Sequence, residues 1–496
     1  MAEKSVAIVG AGIAGLSAAC YARLNGYRAL VLEQGRTAGG LCTAWKRGGY
    51  TFDGCLHWLV GTSPCLGMRE MWDELGALKG AQVVNPDEFL RIENAEGPTV
   101  TFWKDPVRLR EHLLSLAPSD GERIRTFTGA VELFAGFLAP AGGRGTPSLA
   151  AVLPFLSAMR RWNRITVDEF ASGFSSPLLR EAFRLVMLPS MSMTTLISTF
   201  AWLSRDVAGY PIGGSAPFAE SIRRRVEELG GEIRFGARVE KILVRSSAAV
   251  GVRLAGGEEI QADAVISAAD GHTTIYEMLD GAYEGRRIAR LYQERPLFPS
   301  LVIVSLGVRH LFPELSPSVT GISIPLEKSW KIGEERLERL TVHVRVEDPT
   351  LAPSGCTAIS CILPTRFDWW HALSVDPGGY AAMKEKIAAG VIAALNIRFP
   401  GLANQVEERD VATPLTLVRY TGNWMGSFEG WLYTPWTARL KIPTTLPKLR
   451  NFHMAGQWVQ PGGGLPTAAR SGRDAVKAVC RADRTVFVGA SQTTAG

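Results

Sequence analysis

Residues 5–33 constrain the fold more than any other part of the chain. Ser5-Val-Ala-Ile-Val9 is a short apolar run that enters Gly10-Ala-Gly12-Ile-Ala14-Gly15. A small-residue helix follows through Leu16, Ala18, Ala19, Ala22 and Leu24, and a second apolar run, Arg28-Ala-Leu-Val-Leu32, ends on Glu33. Strand, glycines, helix, strand and terminal acid in that order predict a βαβ unit shaped for a dinucleotide. Gly10 permits the tight turn, Gly12 lets the backbone approach a pyrophosphate, and Gly15 lets the helix pack close to the strand. Free N–H groups at the helix N-terminus, with Ala14 in its first turn, suit phosphate oxygens. Glu33 stands about 20 residues past the glycines, where a carboxylate accepts from a ribose hydroxyl, and Gln34 follows it. No arginine stands beside the acid in the strand, which favours the unphosphorylated ribose of FAD or NAD over NADP. A bare glycine turn is the alternative, and it leaves the other four parts of the pattern unexplained.

The next residues distinguish between the two cofactors. Arg36-Thr-Ala-Gly39-Gly40-Leu41 follows directly, and paired glycines let a loop pass close over a cofactor already seated. Gly49-Tyr-Thr-Phe-Asp53-Gly-Cys55-Leu-His57-Trp58 comes next. With its GAGIAGL, LEQ and GG runs, the sequence resembles the amine oxidase and phytoene desaturase superfamily of FAD proteins. Tyr210-Pro-Ile-Gly213-Gly214, Gly230 to Ile242, Ala262 to Asp270, Asn451 to Gly456 and Pro461-Gly-Gly-Gly464-Leu465-Pro466 are similar in order and spacing to its carotenoid desaturase, carotenoid isomerase and retinol saturase branch. The resemblance covers nearly the whole chain. It implies FAD held non-covalently, with Val239 meeting the adenine through its backbone. It also implies that Gly456 and Gln457 lie near the ribityl phosphate, and that the Gly464-Leu465-Pro466 turn faces the pyrimidine end of the flavin. Gln457 departs from the charged or small residue usual in relatives. A plain loop before a helix is the other reading of Gly462–Gly464.

At 496 residues the chain exceeds the size of a single core, so two domains are expected. The expected class is α/β: a discontinuous Rossmann-type FAD-binding domain with an inserted α+β substrate domain that includes an apolar helical lid. The FAD-binding domain is expected in three pieces, 1–105, 206–275 and 425–485, with strands at Ile233–Phe235, Val239–Arg245, Ala249–Leu254 and Asn451–Ala455 and a helix over Leu465–Cys480. The substrate domain takes 106–205 and 276–424, and 486–496 reads as a flexible tail. Within the first insert, Leu133–Pro140, a Gly-rich break at 142–145 and Ser148–Met159 closed by Arg160, Arg161 and Trp162 suit a helix pair lying in a membrane interface; an ordinary buried pair is equally consistent. Met187, Met191 and Met193 suit either a tunnel for a long apolar substrate or core filling. In the second insert Leu301–Val308, Leu340–Val346 and Thr357–Leu363 read as strands. The cluster Phe367-Asp-Trp369-Trp370-His371 either lines a pocket or packs the sheet edge, and Lys384–Ile397 reads as a helix.

Hydrophobic residues make up 46% of the chain and its net charge is +6, with mean hydropathy +0.06. No basic run carries interleaved aromatics, which argues against nucleic acid; the modest positive charge is compatible with an anionic membrane surface. The seven cysteines (20, 42, 55, 65, 356, 361 and 480) form no CxxC pair, which suggests reduced thiols and no metal site. A strand beginning at Ser5 leaves no leader expected, and no run reaches the ~18 apolar residues of a spanning helix. The expected location is cytoplasmic, peripheral on the inner face of the membrane.

A bound flavin would carry the hydride chemistry. No second strand–GxGxxG–helix unit is seen, so electrons would pass to a quinone, to oxygen, or back to the substrate. His57 and Trp58 are the candidate catalytic residues, because the family's loop passes near the flavin there. His57 suits a proton shuttle or a silent hydrogen bond to backbone or cofactor. Three functions remain open. The first is an FAD enzyme that desaturates, saturates or isomerises C–C double bonds of a polyene, isoprenoid or fatty-acid-like substrate. The second is a flavin amine oxidase with Trp369-Trp370 as its aromatic cage. The third is a non-catalytic lipid carrier of the GDP-dissociation-inhibitor type.

Overall fold

The computed structural model describes residues 3–65, 67–138, 149–316 and 319–489. The glycine-rich break at 142–145 and the tail beyond 489 lie outside them. A five-stranded parallel sheet forms the base, in the order 232–235, 28–33, 5–9, 264–267, 452–454. Its central strand, Ser5–Val9, is buried from Val6 to Val9, which is why it reads as an unbroken apolar run and not as an alternating one. The Ile13–Leu24 helix packs on one face against the Leu465–Ala482 helix. Their approach is so close that a Cβ on Gly472 would collide with the Ala14 carbonyl. The other face is covered by a three-stranded antiparallel sheet, 239–245, 248–254 and 259–261.

A second sheet has seven strands in the order 406–412, 300–308, 357–365, 335–344, 319–332, 88–92, 100–103. Glu335–Val344 alternates between exposed and buried positions because only one of its faces packs. The Phe367–Leu373 and Pro377–Arg398 helices contribute to that core. Two features differ from the sequence expectation. Glu88–Ile92 and Val100–Trp103, expected within the 1–105 cofactor piece, belong to this second sheet; Glu88–Ile92 runs parallel to Val319–Ile332. Val319–Ile332 itself is a strand that periodicity did not predict. Gly321, Pro325 and the Glu327-Lys328 pair break its apolar pattern, and its pairing with 335–344 shifts register between Pro325 and Trp330. A layer of helices within 106–138 and 149–203 packs beside the Glu88–Ile92 hairpin through a cluster of phenylalanines at 102, 127, 170, 183 and 200. Among the described residues no helix is long and apolar enough to cross a membrane.

Candidate active site

One large cavity, about 990 Å³, runs from the first βαβ turn to the helical layer. Gly10, Gly12, Ala14, Glu33, Gln34, Gly39, Gly40, Leu41, Val239, Gly456, Gln457, Gly464, Leu465 and Pro466 all line it, and so do His57 and Trp58. Gly15 does not. It sits behind the turn, where a Cβ would drive into the Gly10 carbonyl oxygen, so its role is the close helix–strand packing.

The cradle at the βαβ end is built from backbone. Gly12 caps the Ile13–Leu24 helix with no side-chain partner for the first N–H groups. A Cβ at Gly12 would meet only the Gly39 carbonyl oxygen, 4.0 Å away, so the space beside it is open and an anion can reach the helix N-terminus. Gly39 donates its N–H to the Ala11 carbonyl at 2.8 Å, which lays the Gly39-Gly40 loop over that turn. Glu33 faces the cavity with its carboxylate anchored: it accepts from Ala11 N and Gly35 N, each at 2.7 Å. Two fixed oxygens with lone pairs to spare suit ribose hydroxyls. At the opposite end Gly464 caps the Leu465–Ala482 helix, again without a side-chain cap. The Gln457 side chain donates to Asn423 Oδ1 at 2.9 Å, which leaves its Oε1 and a second N–H for a ligand. These features fit an extended dinucleotide with a phosphate group at one helix end and a ring system at the other.

The loop carrying Cys55 to Trp58 is held from below by a buried network. Asp53 Oδ1 accepts from Cys55 N (2.8 Å), Leu56 N (2.9 Å) and Ser215 Oγ (2.6 Å), and Oδ2 accepts from Ser215 N (2.6 Å). Arg345, buried beneath the second sheet, donates to the Leu56 carbonyl at 2.8 Å and lies 4.9 Å over the Tyr210 ring. His57 Nδ1 pairs with the Cys55 carbonyl at 3.1 Å, and its ring lies 4.1 Å from that of His343, whose Nδ1 in turn pairs with the Thr320 carbonyl at 2.7 Å. Burial first, then the neighbouring His343 and Arg345, push the His57 pKa well below its ordinary value. His57 is therefore neutral at physiological pH, with Nδ1–H donating to the carbonyl and Nε2 left as an acceptor. That geometry describes a fixed acceptor better than a shuttle working near neutrality.

The far wall comes from the helical layer: Met159, Met187, Leu188, Met191, Thr199 and Trp202. Met193, by contrast, is fully buried in the helical core. Trp369 and Trp370 are absent from the cavity wall. Trp370 is buried in the second sheet's core and donates to Thr365 Oγ1 at 2.9 Å, so the pair packs the sheet and builds no cage. Sequence reasoning missed two acids on the wall. Asp270 accepts from Thr273 N and Trp424 N at 2.8 and 2.9 Å, and burial raises its pKa to about 6. Burial raises Glu429 to about 7. A lone acid in a loop carries no spacing signal, so neither was readable from the sequence. Among the described residues no cluster of side chains is arranged to hold a metal.

The fold and this cradle define an FAD-dependent oxidoreductase with a mixed α/β architecture. The chain belongs to the flavin containing amine oxidoreductase family, whose model matches residues 13–480. It is 26% identical over 502 residues to a chloroplastic prolycopene isomerase of Arabidopsis thaliana, covering 94% of this chain and 80% of that one. It is 25% identical to a neurosporene-forming phytoene desaturase of Cereibacter sphaeroides, covering 92% and 91%. The solved structure of cyclohexylamine oxidase from Brevibacterium oxydans IH-35A superposes with a TM-score of 0.60 over 97% of this chain and 100% of that one, at 16% identity. At that identity the likeness is one of fold. Family membership sets aside the carrier without a cofactor.

Proposed function

We propose that this protein makes, removes or moves C–C double bonds in a long apolar polyene or isoprenoid. The observation that carries this reading is the continuity of the cavity. The wall that follows the dinucleotide cradle combines methionines, a leucine and a tryptophan with the hydroxyl residues Thr194, Thr195, Ser198 and Thr199, and its adaptable apolar side chains suit an extended hydrocarbon chain. Relatives named as a prolycopene isomerase and a phytoene desaturase support the polyene class. The amine oxidase alternative loses its proposed cage, because Trp369 and Trp370 pack elsewhere. FAD, when bound, supplies a two-electron acceptor for hydride. The residues of this chain that would hold it are the Gly10–Gly15 turn, Glu33, the Gly39–Leu41 loop, the Val239 backbone and the Gly464–Pro466 turn. The protein's own work is to hold the substrate against it, exclude water and manage protons. Electrons then pass to a quinone or oxygen, or return to the substrate.

The 106–205 helices form the apolar mouth of this site in the same reading, and their outer face rests on a membrane from which the substrate enters. Anaerobic addition of polyenes, unsaturated fatty acids and amines to the flavin-loaded protein tests the function. Bleaching of the oxidised-flavin absorption or an isomerised product is expected with a polyene. Bleaching by amines alone would return the amine oxidase reading.

A further inference from the structure

Glu429 is placed differently from Glu33 and Asp270 on the same cavity wall. It lies in the loop before Trp431, directly against the glycine turn that opens the Leu465–Ala482 helix. A Cβ at Gly463 would fall 2.5 Å from the Glu429 carbonyl oxygen and 2.6 Å from its Cβ, and Gly462 N donates to the Trp431 carbonyl at 2.9 Å. The two segments are therefore packed backbone to backbone, and the carboxyl emerges at the helix end of the cavity, where the cradle suits a ring system. Glu33 and Asp270 have their oxygens taken by backbone N–H groups. Among the described residues, none donates a hydrogen bond to the Glu429 carboxyl; burial alone acts on it. A cavity-facing carboxyl without a protein partner has its lone pairs free for a ligand.

We infer that Glu429 is the proton-handling catalytic residue of this site, taking a proton from a substrate carbon and returning it where a double bond is moved. The inference rests on the double-bond chemistry proposed above. In a desaturation, hydride leaves one carbon with its electron pair for the oxidised cofactor. The adjacent carbon gives its proton to the Glu429 carboxylate, and the electron pair of that C–H bond becomes the second bond of the alkene. Saturation is the reverse.

Asp270 shares the cavity with Glu429 and burial raises it to about 6, but each of its oxygens already accepts from a backbone N–H, of Thr273 and of Trp424; the other groups around Glu429 do not compete for the role near neutrality. The Cys55 thiol is raised by its Cys42 partner, by burial and by Asp53 and Glu429 themselves. Burial raises Tyr433, and His57 is held neutral. Arg470, on the following helix, lines the same cavity. Burial pushes Glu429 up to about 7, so the carboxylate and the acid are both populated at physiological pH, as a residue that both accepts and returns a proton requires.

The test compares FAD-loaded wild type with Glu429→Gln and Glu429→Asp. Without substrate, the bound flavin's visible absorption is followed from pH 5 to pH 9. A one-proton transition near 7 is expected in wild type, lost in Glu429→Gln and present again in Glu429→Asp. With a polyene that reacts, the single-turnover rate should rise with pH through the same midpoint. In Glu429→Gln it should fall by on the order of 100-fold and lose its pH dependence at unchanged flavin content. A Glu429→Gln protein that keeps the transition, or turns over at the wild-type rate, overturns the inference. A polyene panel that leaves wild type unreacted overturns the functional reading instead, and the substrate-free titration still decides whether Glu429 titrates against the cofactor.

Discussion

Single residues decide whether the cradle works. Replacing Gly12 with valine puts a branched side chain into the one opening through which an anion reaches the Ile13–Leu24 helix end. Lost phosphate hydrogen bonds and steric clash together cost about 3 kcal/mol, roughly a 100-fold loss of FAD affinity. Flavin content measured after purification checks this, and a Gly12→Val protein with full flavin contradicts it. Gly12 was legible in the sequence because its neighbours in the chain are also its neighbours in space. Glu429 was not, because its importance comes from Gly463, which is remote in sequence and approaches only in the folded molecule.

Elements were legible to the extent that their partners are local. The 5–33 unit is a strand and helix that pack on each other. The Val319–Ile332 strand was missed because its burial depends on Glu88–Ile92 and Glu335–Val344, and its own residues break the alternation that would announce it. The Leu149–Trp162 helix has both a packed side and an exposed apolar side. Phe155 stacks on Phe137 at 3.7 Å and contacts Phe134, while Leu153 and Leu156 are 70% and 53% exposed, with Arg160 and Arg161 in its last turn. A helix with a packed aromatic side, exposed leucines and terminal arginines suits an anionic lipid surface. Each leucine seated in lipid contributes ~2 kcal/mol. Leu153→Glu with Leu156→Glu is therefore expected to cut flotation with phosphatidylglycerol vesicles at least about tenfold without changing flavin content. Equal flotation of variant and wild type would remove this surface from consideration.

At the scale of the whole molecule, the two sheets meet where Arg345 and His343 reach under the Cys55–Trp58 loop. His343 is held down to about 3 from an ordinary 6.5, chiefly by burial. The unfolded chain therefore binds a proton below 6.5 that the native chain refuses until about 3, and stability falls as pH falls through that window. His343→Asn keeps a donor for the Thr320 carbonyl and removes the titration, so its Tm should decline less steeply than that of wild type between pH 6.5 and 4.5. Parallel slopes would show that this ring does not govern the acid response. The order of strands in the five-stranded sheet bears on synthesis. The Ser5–Val9 strand leaves the ribosome well before Ala264–Ser267, its neighbour on one side, and the Leu465–Ala482 helix that covers its companion. At a typical translation rate the first dinucleotide turn waits roughly 20–90 s for the helix that completes its pocket. Until residues 239–267 are made, the Ala7 and Val9 face of the strand lacks the sheet that covers it, so a nascent-chain chaperone is the expected guardian of this fold, and the cofactor is expected to load only once the Leu465–Ala482 helix is in place.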